Sequence, residues 1–525
     1  MPVMNRLGRR GFVKGSLGAA GAAALFSSLF SRRVSASEYG ELVPDPDGIL
    51  DLPEGFSYTV LQEAGVPMAD GYVVPGRPDG MACFAGANGT WLLMRNHEVS
   101  AGDDSNGAYA RGEAPKEAYD PDGFGGVTRV VINAQTGTVL STNLVLTGTV
   151  RNCAGGPSPW GWLSCEENTV GEHGYVFACP QDAESVVPAE PIIGFGRYNH
   201  EAAAVDPDTL VTYLTEDRGD SCFYRHVPDD LEFPFEGRLQ ALRILDTDAL
   251  NTASLGKVGE LFEIEWVDIE DPAPADDTVR YAAQADGATV FIRGEGLWFF
   301  EGEIYFSCTN GGPAGLGQIF RVVDDGDTGT LELVAVSDGA ATLDFPDNLT
   351  VAPWGELFIC EDGSNDQFIR VLAADGTLCD FARNALSESE LAGVCFSPDG
   401  DALFVNIQEE GLTLMVTGPF PDVSEGGESS GGESSGGESG DPSTGPGETS
   451  DSDSAGGATG NPAAESSGGP ADDVTGSDTD PDTTGEASGD GGGCSVQGDH
   501  RLGAAAIGAA LLAKAVRTDD GQDPS

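Results

Sequence analysis

Short apolar runs alternate with turn signals through the middle of the chain, with very little of the 3.6-residue periodicity of an amphipathic helix. Turns of the types Asp-Pro-Asp, Ala-Asp-Gly and Ser-Pro-Asp-Gly separate these runs. A helical fold cannot bury such a pattern, whereas many short paired strands can. We therefore predict an all-β fold, with strands at 91–95, 127–132, 175–178, 211–215, 304–307, 319–323, 356–359, 368–372 and 402–406.

One strand–turn–strand unit recurs along this part of the sequence. Residues 348–360 and 393–405 each place an apolar stretch before a Pro-containing turn and a second apolar stretch after it, and residues 200–214 form a weaker copy. Repeated units in a long all-β chain are typical of a β-propeller, in which each blade contributes one loop to a central channel. A jelly roll or a pair of β-sandwiches is the alternative that the pattern leaves open.

The N-terminus has the composition of an export signal. Residues 1–36 contain the pair Arg9-Arg10, a weakly apolar run rich in Ala, Gly and Leu, and small residues at 34–36 that suit cleavage. This arrangement resembles a twin-arginine signal, which directs folded proteins across the bacterial inner membrane. We expect the folded body to span residues 37–421 and to be periplasmic, extracellular or displayed at the cell surface.

The composition changes abruptly after the body. Residues 422–493 are dominated by Ser, Gly, Glu, Asp, Pro and Thr and contain no Lys, Arg or aromatic residue. Such a stretch cannot bury enough apolar surface to offset its chain entropy, so it predicts a disordered acidic tail. Residues 494–525 resemble a bacterial C-terminal sorting tag, since Cys494 precedes a short apolar segment and Arg517. They are expected to anchor the protein at the surface.

The charge balance excludes some classes of protein. The chain has 26 basic and 86 acidic residues and a net charge of −60, which argues against a nucleic-acid-binding protein or attraction to anionic membranes. Without an apolar run of about 18 residues or more, a multi-span membrane protein is also excluded. Two compatible explanations of the acidic excess are saline surroundings and a cluster of divalent-cation sites. We expect a monomer.

Nine cysteines lie in the body, at 83, 153, 165, 179, 222, 308, 360, 379 and 395. Because the number is odd, at least one is unpaired, and without a Cys-x-x-Cys pair a zinc ribbon is not expected. Several lie in apolar strands, where cysteine is a small buried hydrophobe. Cys153 differs because residues 152–157 are rich in glycine, and we predict a loop there.

Carboxylates and polar partners cluster at predicted strand ends. The segments are 95–98, 165–168, 199–201, 216–218, 293–296, 344–348 and 361–363. If each belongs to a different blade, the channel receives a ring of carboxylates that only hard cations can neutralise. Oxygen ligands suit calcium, and a thiolate or imidazole among them indicates a transition metal such as iron. Solvated loop carboxylates are the competing interpretation of any single acid.

Taken together, these segments resemble the PhoX family of alkaline phosphatases. The match runs in order from about residue 70 to 420, and its most specific parts are Cys-Ala-Gly-Gly-Pro at 153–157 and Phe-Ser-Pro-Asp-Gly at 396–400 followed by Asn-Ile-Gln at 406–408. Further matching segments are 95–98, 165–167, 198–202, 214–218, 293–296 and 346–348. Family members are typically exported by the twin-arginine route, which agrees with the N-terminus.

The resemblance implies a six-bladed propeller that holds Fe(III) and Ca²⁺ in its channel and hydrolyses phosphate monoesters. Cys153 would supply the thiolate bound to iron, and Arg293 would bind the phosphate, acting in catalysis with Glu295. The remaining implied metal ligands are Glu98, Glu201, Glu295, Asp347 and Asn348, with Asp217 holding a further calcium. His97 and His200 receive no role beyond orienting neighbouring ligands.

Two other functions fit the same residues. A propeller hydrolase could act on another ester, as a phosphodiesterase or lactonase does, and a calcium-stabilised surface propeller could lack catalysis. A purely structural calcium ring needs neither the thiolate of Cys153 nor the guanidinium of Arg293. A pairing of Arg293 with a neighbouring carboxylate remains open at this point.

Overall fold

The computed structural model describes residues 39–109, 113–373 and 375–421. Within these residues the backbone forms 26 β-strands and one short α-helix, α1 (Val279–Ala285), besides 3₁₀ turns at Ile193–Phe195 and Thr252–Ser254. The all-β prediction is confirmed, and each of the nine predicted strand stretches overlaps a strand. The predicted signal (1–36), acidic linker (422–493) and sorting segment (494–525) lie outside the described residues.

Six strand repeats make up the body, and three strands precede them. The preceding strands are β1 (Leu42–Val43), β2 (Leu50–Pro53) and β3 (Ser57–Glu63). Repeat 1 consists of β4 (Pro78–Ala85), β5 (Thr90–His97), β6 (Gly125–Asn133) and β7 (Val139–Thr149). Repeat 2 consists of β8 (Asn152–Ser158), β9 (Gly161–Glu166) and β10 (Val176–Cys179). Repeat 3 consists of β11 (His200–Val205), β12 (Thr212–Glu216), β13 (Tyr224–Pro228) and β14 (Gly237–Ile244).

The second half of the body continues the pattern after one linking strand, β15 (Leu261–Asp268). Repeat 4 consists of β16 (Gly294–Phe300), β17 (Glu303–Cys308), β18 (Gln318–Asp324) and β19 (Thr328–Val336). Repeat 5 consists of β20 (Pro346–Val351), β21 (Leu357–Glu361), β22 (Phe368–Leu372) and β23 (Leu378–Asn384). Repeat 6 consists of β24 (Leu391–Phe396), β25 (Ala402–Ile407) and β26 (Leu412–Thr417).

Hydrogen bonding joins these repeats into five antiparallel sheets. Strand β15 pairs with both β14 and β19, which merges repeats 3 and 4 into a nine-stranded sheet. Strand β3 completes repeat 6 by pairing with β26, and β2 extends repeat 5 by pairing with β23. Six repeats follow one another along the chain, but the described strands form five sheets and not six, so the number of six blades stays a prediction.

The first strands of the repeats form a closed ring. Each of β4, β8, β11, β16, β20 and β24 contacts the first strand of the next repeat, and β24 contacts β4. This is a propeller-like arrangement, with the sequence copies at 200–214, 348–360 and 393–405 as the first hairpins of repeats 3, 5 and 6. It also corrects one prediction, because Cys153 lies in strand β8 and not in a loop.

Glycine lets neighbouring first strands approach closely. A Cβ atom on Gly80 would lie 2.6 Å from Cα of Ala154, and one on Gly156 would overlap the carbonyl oxygen of Ala203. Real Cβ atoms do not come this near to backbone atoms. The glycine-rich sequence at 152–157 is thus explained by strand packing around the ring.

Aromatic and aliphatic side chains fill the space between repeats. Phe223 of repeat 3 stacks on Phe306 of repeat 4 with ring centroids 4.4 Å apart, and Phe358 of repeat 5 meets Phe396 of repeat 6 at 4.9 Å. All four rings are buried. These cores hold the ring of first strands together, so that the starts of those strands have fixed relative positions.

Candidate metal centre

Three positions recur at the start of every repeat. The leading residue immediately precedes the first strand, the channel residue is the second residue of that strand, and the closing residue immediately follows the second strand. In all six repeats the N–H of the closing residue donates to the carbonyl oxygen of the leading residue, at 2.8–3.3 Å. The same backbone geometry therefore presents three side chains per repeat at one end of the ring.

The residues at these positions are mostly ionisable. The leading residues, from repeat 1 to repeat 6, are Arg77, Arg151, Asn199, Arg293, Phe345 and Glu390. The channel residues are Asp79, Cys153, Glu201, Glu295, Asp347 and Ala392. The closing residues are Glu98, Glu167, Asp217, Thr309, Asp362 and Gln408.

A β-irregularity lies at or directly after each channel residue. In repeat 4, for example, Gly294 pairs with Cys308, but the next pair is Leu297 with Phe306. The first hairpins of repeats 1, 2, 3 and 5 shift register at the same place, and that of repeat 6 shifts one residue later, between Ala392 and Cys395. Because a bulge re-aims the side chain of the extra residue, it turns successive channel residues towards the shared centre instead of into a core.

Three of the channel carboxylates converge. Glu201, Glu295 and Asp347, from repeats 3, 4 and 5, have oxygen atoms within 4.8 Å of one another. Cys153 of repeat 2 neighbours Glu201, since its Sγ lies 3.3 Å from the His200 carbonyl oxygen and 3.7 Å from that of Glu201, and the backbone N–H of Ala154 donates to Oε1 of Glu201 at 3.3 Å. We call Cys153, Glu201, Glu295 and Asp347 the central group. It combines one sulfur and several oxygen ligand atoms.

A second group lies at the junction of repeats 6 and 1. Asp79, Glu98 and Glu390 have oxygen atoms within 4.8 Å of one another. The side-chain amide of Gln408 donates to Oδ2 of Asp79 and to Oε2 of Glu98, both at 3.0 Å. The other Asp79 oxygen is buried and has no hydrogen-bond partner among the described residues. An oxygen in that state is available to a cation.

Arg293 is paired with carboxylates. Its guanidinium lies 2.8 Å from Asp217 and 2.6 Å from Glu295, and it also donates to Asn310 at 3.3 Å. The alternative that the sequence left open, a pairing with neighbouring acids, is thus what the structure shows. The side chain nevertheless remains 32% exposed, so a solute can reach it.

Arg151 occupies the equivalent leading position in repeat 2. Its guanidinium forms ion pairs with Glu98, at 2.8 Å, and with Glu167. Both arginines have left-handed backbones, with φ of 54° at Arg151 and 52° at Arg293. Coulombic attraction by Glu295 raises the pKa of Arg293, and attraction by Glu98 and Glu167 outweighs burial to raise that of Arg151.

The acids of both groups hold protons more tightly than usual. Burial, and then Glu98, raises the pKa of Asp79 to about 8. Burial followed by neighbouring carboxylates also raises the pKa of Glu201 and of Asp347. For the Cys153 thiol, burial and then Glu201 raise the pKa. Ionising these groups together is costly unless cations are bound, because few compensating charges are buried with them.

The donor atoms fit the metals that the sequence predicts. Carboxylate and amide oxygens suit calcium, and a thiolate adjacent to carboxylates suits iron. The structure places all eight predicted site residues at this end of the ring. Glu98 and Asp217 are closing residues, and Asn348 follows the channel residue of repeat 5, with its amide donating to Asp347 at 3.1 Å.

The two histidines lie outside both groups. His97 contacts the Gly76 carbonyl oxygen at 3.0 Å and the Thr128 hydroxyl at 2.8 Å. His200 contacts the Gly196 carbonyl oxygen at 3.1 Å and stacks on Tyr198. The predicted role in orienting ligands therefore finds no direct side-chain contact to a ligand here.

Sequence reasoning missed Asp79, Glu390 and Arg151 and gave no role to Glu167. A signal for the first was present, because Arg77-Pro78-Asp79-Gly80 has the same Arg-x-acid-Gly pattern as residues 293–296. Glu390 has no such signal. It lies at a leading position and joins the second group only because repeats 6 and 1 are neighbours.

A sequence profile of the family described as Alkaline phosphatase PhoX matches residues 37–411. The chain belongs to this family. Among solved structures, PhoX from Pseudomonas fluorescens in complex with vanadate, a transition-state analogue, is 19% identical with a TM-score of 0.58, and the match covers 72% of this chain and 97% of that one. The chain thus shares the fold of the PhoX structure, as the sequence predicted.

More distant structures also match. A gluconolactonase from Xanthomonas campestris is 15% identical with a TM-score of 0.38, and the match covers 73% of this chain and 98% of that one. No curated protein matches the chain. Within the described residues, no helix is long and apolar enough to cross a lipid bilayer.

Proposed function

We propose that this PhoX family protein is an exported, iron- and calcium-dependent alkaline phosphatase that hydrolyses phosphate monoesters. One observation carries the proposal: in a member of this family, channel carboxylates from three consecutive repeats converge beside a partly exposed arginine, and the buried thiol of the preceding repeat, Cys153, lies against the backbone of Glu201. A surface carboxylate cluster would need neither the thiol nor the arginine. We further propose that the chain is exported through the twin-arginine route.

The central group would hold the iron and part of the calcium. Cys153 would provide the thiolate, with Glu201, Glu295 and Asp347 as oxygen ligands and Asn348 beside them. Asp217 and the second group (Asp79, Glu98 and Glu390) would hold further calcium. When bound, these metals supply positive charge that neutralises phosphate oxygens and lowers the barrier to displacement.

Arg293 would bind the phosphate. Its planar guanidinium can donate to two oxygens at once, which suits a phosphate better than an ammonium group does. Its position between Asp217 and Glu295 fixes the direction of the fork. In a chain with a net charge of −60, this fixed positive group also counters the general repulsion of an anionic substrate.

Glu295 has two functions in this proposal. Its carboxylate would bind metal and would also hold Arg293 in place, at the 2.6 Å separation between the two side chains. Because phosphate monoesters hydrolyse very slowly in water, most of the rate must come from such fixed charges around the phosphoryl group.

The test is a substrate comparison with the purified, metal-loaded protein. We expect hydrolysis of p-nitrophenyl phosphate to exceed that of bis(p-nitrophenyl) phosphate and of a δ-lactone by at least about 100-fold. Arg293→Gln should lower kcat/KM for the monoester by about 100-fold or more, because the lost charge acts near the reaction centre. Arg238→Gln is the matched control, since Arg238 is exposed and lies 3.7 Å from Asp268, at the outer strands.

Two outcomes would contradict the proposal. A faster reaction with the diester or the lactone would assign the site to another ester. Equal rates for the native protein and the Arg293 variant would remove Arg293 from substrate binding.

A further inference from the structure

Arg151 and Arg293 are equivalent residues of two repeats. Each precedes a first strand, has a left-handed backbone, and accepts a hydrogen bond from its closing residue at its carbonyl oxygen. Each side chain also reaches back to the closing residue of the preceding repeat, Arg151 to Glu98 and Arg293 to Asp217. The arrangement that holds the guanidinium of Arg293, which is proposed to bind phosphate, thus recurs at Arg151, two repeats earlier in the ring.

The two guanidiniums flank one carboxylate. Arg151 forms an ion pair with Glu167. Burial, and then Asp217, raises the pKa of Glu167, and the positive charges of Arg151 and Arg293 only partly oppose that increase. Their side chains are 40% and 32% exposed, respectively. Both lie at the same, solvent-accessible end of the ring. Asn199 connects their surroundings, because its side-chain amide donates to Glu167 at 3.3 Å and its backbone carbonyl oxygen accepts from the N–H of Asp217, the ion-pair partner of Arg293.

The backbone conformation at Arg151 is unfavourable for a residue with a Cβ atom. Glycine or asparagine would adopt a left-handed conformation more readily. The leading residues Arg77, Arg293 and Phe345 share this conformation, with φ of 46°, 52° and 55°, so it is a property of the leading position that Arg151 and Arg293 have in common.

We propose that Arg151 binds a second anionic group of the substrate, so that the site favours phosphate monoesters whose alcohol carries a carboxylate or another phosphate. The inference rests on the proposed function, in which Arg293 and the metals already engage the phosphoryl oxygens. A second anion would otherwise be repelled by this acidic protein. Nε and Nη2 of Arg151 already contact Glu98 and Glu167, and Nη1, which has no partner among the described residues, is left to donate to the second anion.

Two substrates with the same three-carbon skeleton isolate this contact. 3-Phosphoglycerate and glycerol 3-phosphate are both monoesters, and only the first has a carboxylate. We expect the metal-loaded protein to favour 3-phosphoglycerate by at least about tenfold in kcat/KM. Arg151→Asn, which tolerates the left-handed backbone, should reduce that ratio about tenfold, mainly through KM. Arg238→Asn, a change at an exposed arginine far from the first strands, should leave it unchanged.

A ratio unaffected by Arg151→Asn would overturn the proposal. If no ester is hydrolysed, the proposed function fails. Calorimetric binding of 3-phosphoglycerate to the metal-loaded protein then still tests the role of Arg151. An affinity about tenfold weaker in Arg151→Asn supports that role, and equal affinity contradicts it. If the Asn variant misfolds or loses metal, Arg151→Lys keeps the charge without the fork. A substrate ratio at least about threefold lower supports the contact, and a native ratio contradicts it.

Discussion

Cys153 is the residue whose chemistry depends most on a bound cation. Its thiol is buried in β8 beside Glu201, and burial and that carboxylate raise its pKa. A thiol in this environment stays protonated and inert unless a metal ion displaces the proton. Cys165, Cys179, Cys222 and Cys308 are also buried free thiols, so Cys153 is distinguished by its neighbours.

Replacing Cys153 therefore tests the iron site. We expect Cys153→Ala to lower bound iron by at least about tenfold and to abolish any thiolate-to-iron absorption in the visible range, because the sulfur ligand is lost. Elemental analysis and absorption spectroscopy of the purified variant measure both effects. Cys165→Ala is the matched control, since Cys165 is equally buried in the neighbouring strand β9. Equal iron loss in both variants would contradict a specific role for Cys153.

Among single residues, the sequence predicted those site residues that lie in segments typical of a family, and it missed site residues whose surroundings in the sequence are not distinctive. Cys153 and Arg293 could be predicted because a family resemblance covers their segments. Arg151 and Asp79 look like any surface residue of an acidic chain, although Arg77-Pro78-Asp79-Gly80 repeats the pattern at 293–296. Their position depends on how repeats 1 and 2 meet, which one sequence does not reveal.

The first hairpin of each repeat is the element on which the site depends. Its strands could be predicted from short apolar runs between turns, and three of the six hairpins were visible as sequence copies. The bulge at the channel residue could not be predicted, because it depends on which residue of β4 or β8 opposes which residue of its partner strand. Regular strand alternation does not show which side chains face the centre, because the bulge changes the alternation at the channel residue.

Close approach of neighbouring first strands gives a prediction at Gly156. A side chain there would overlap the Ala203 carbonyl oxygen of β11, so Gly156→Ala should destabilise the fold by about 1–3 kcal/mol. Denaturant unfolding of the metal-free protein measures this effect without the contribution of bound metal. Gly339→Ala is the control, since a Cβ atom at Gly339 meets nothing within 4 Å. Equal stability of both variants would contradict this packing of β8 against β11.

On the scale of the whole molecule, the propeller concentrates acids that the sequence distributes over more than 300 residues. Asp79 and Glu390 are 311 positions apart in the chain but belong to one group, since repeats 6 and 1 close the ring. The sequence predicted that acids of different repeats meet in the channel, and the described structure brings such acids together in two groups of three. Which acids share a group follows from ring closure, and no local pattern contains that information.

The pKa directions predict how stability depends on pH. Burial raises the pKa of Asp79 from 3.8 to about 8 in the folded chain, and it also raises those of Glu201 and Asp347. The folded metal-free state therefore binds more protons than the unfolded state, and its stability should fall as pH rises from about 4 to about 8. Metal binding requires the deprotonated ligands, so the stabilisation by metal should grow over the same range.

Differential scanning calorimetry of metal-free and metal-loaded protein at about pH 5 and pH 8 checks this prediction. We expect the difference in Tm between the two forms to be larger at pH 8 by at least about 5 °C. In the metal-free form, Asp79→Asn should weaken the fall in Tm, because it removes one titrating carboxyl group. A Tm of the metal-free protein that rises with pH would contradict the proton-binding account.

The proposed metal centre requires that the thiol and carboxylates of the channel bind iron together with calcium. Elemental analysis of the protein as purified, before any metal is added, measures both metals. We predict iron and calcium in at least about equimolar amounts with the chain, and loss of iron alone in Cys153→Ala. Protein that contains only zinc, or that hydrolyses phosphate monoesters with neither iron nor calcium bound, would rule out this centre.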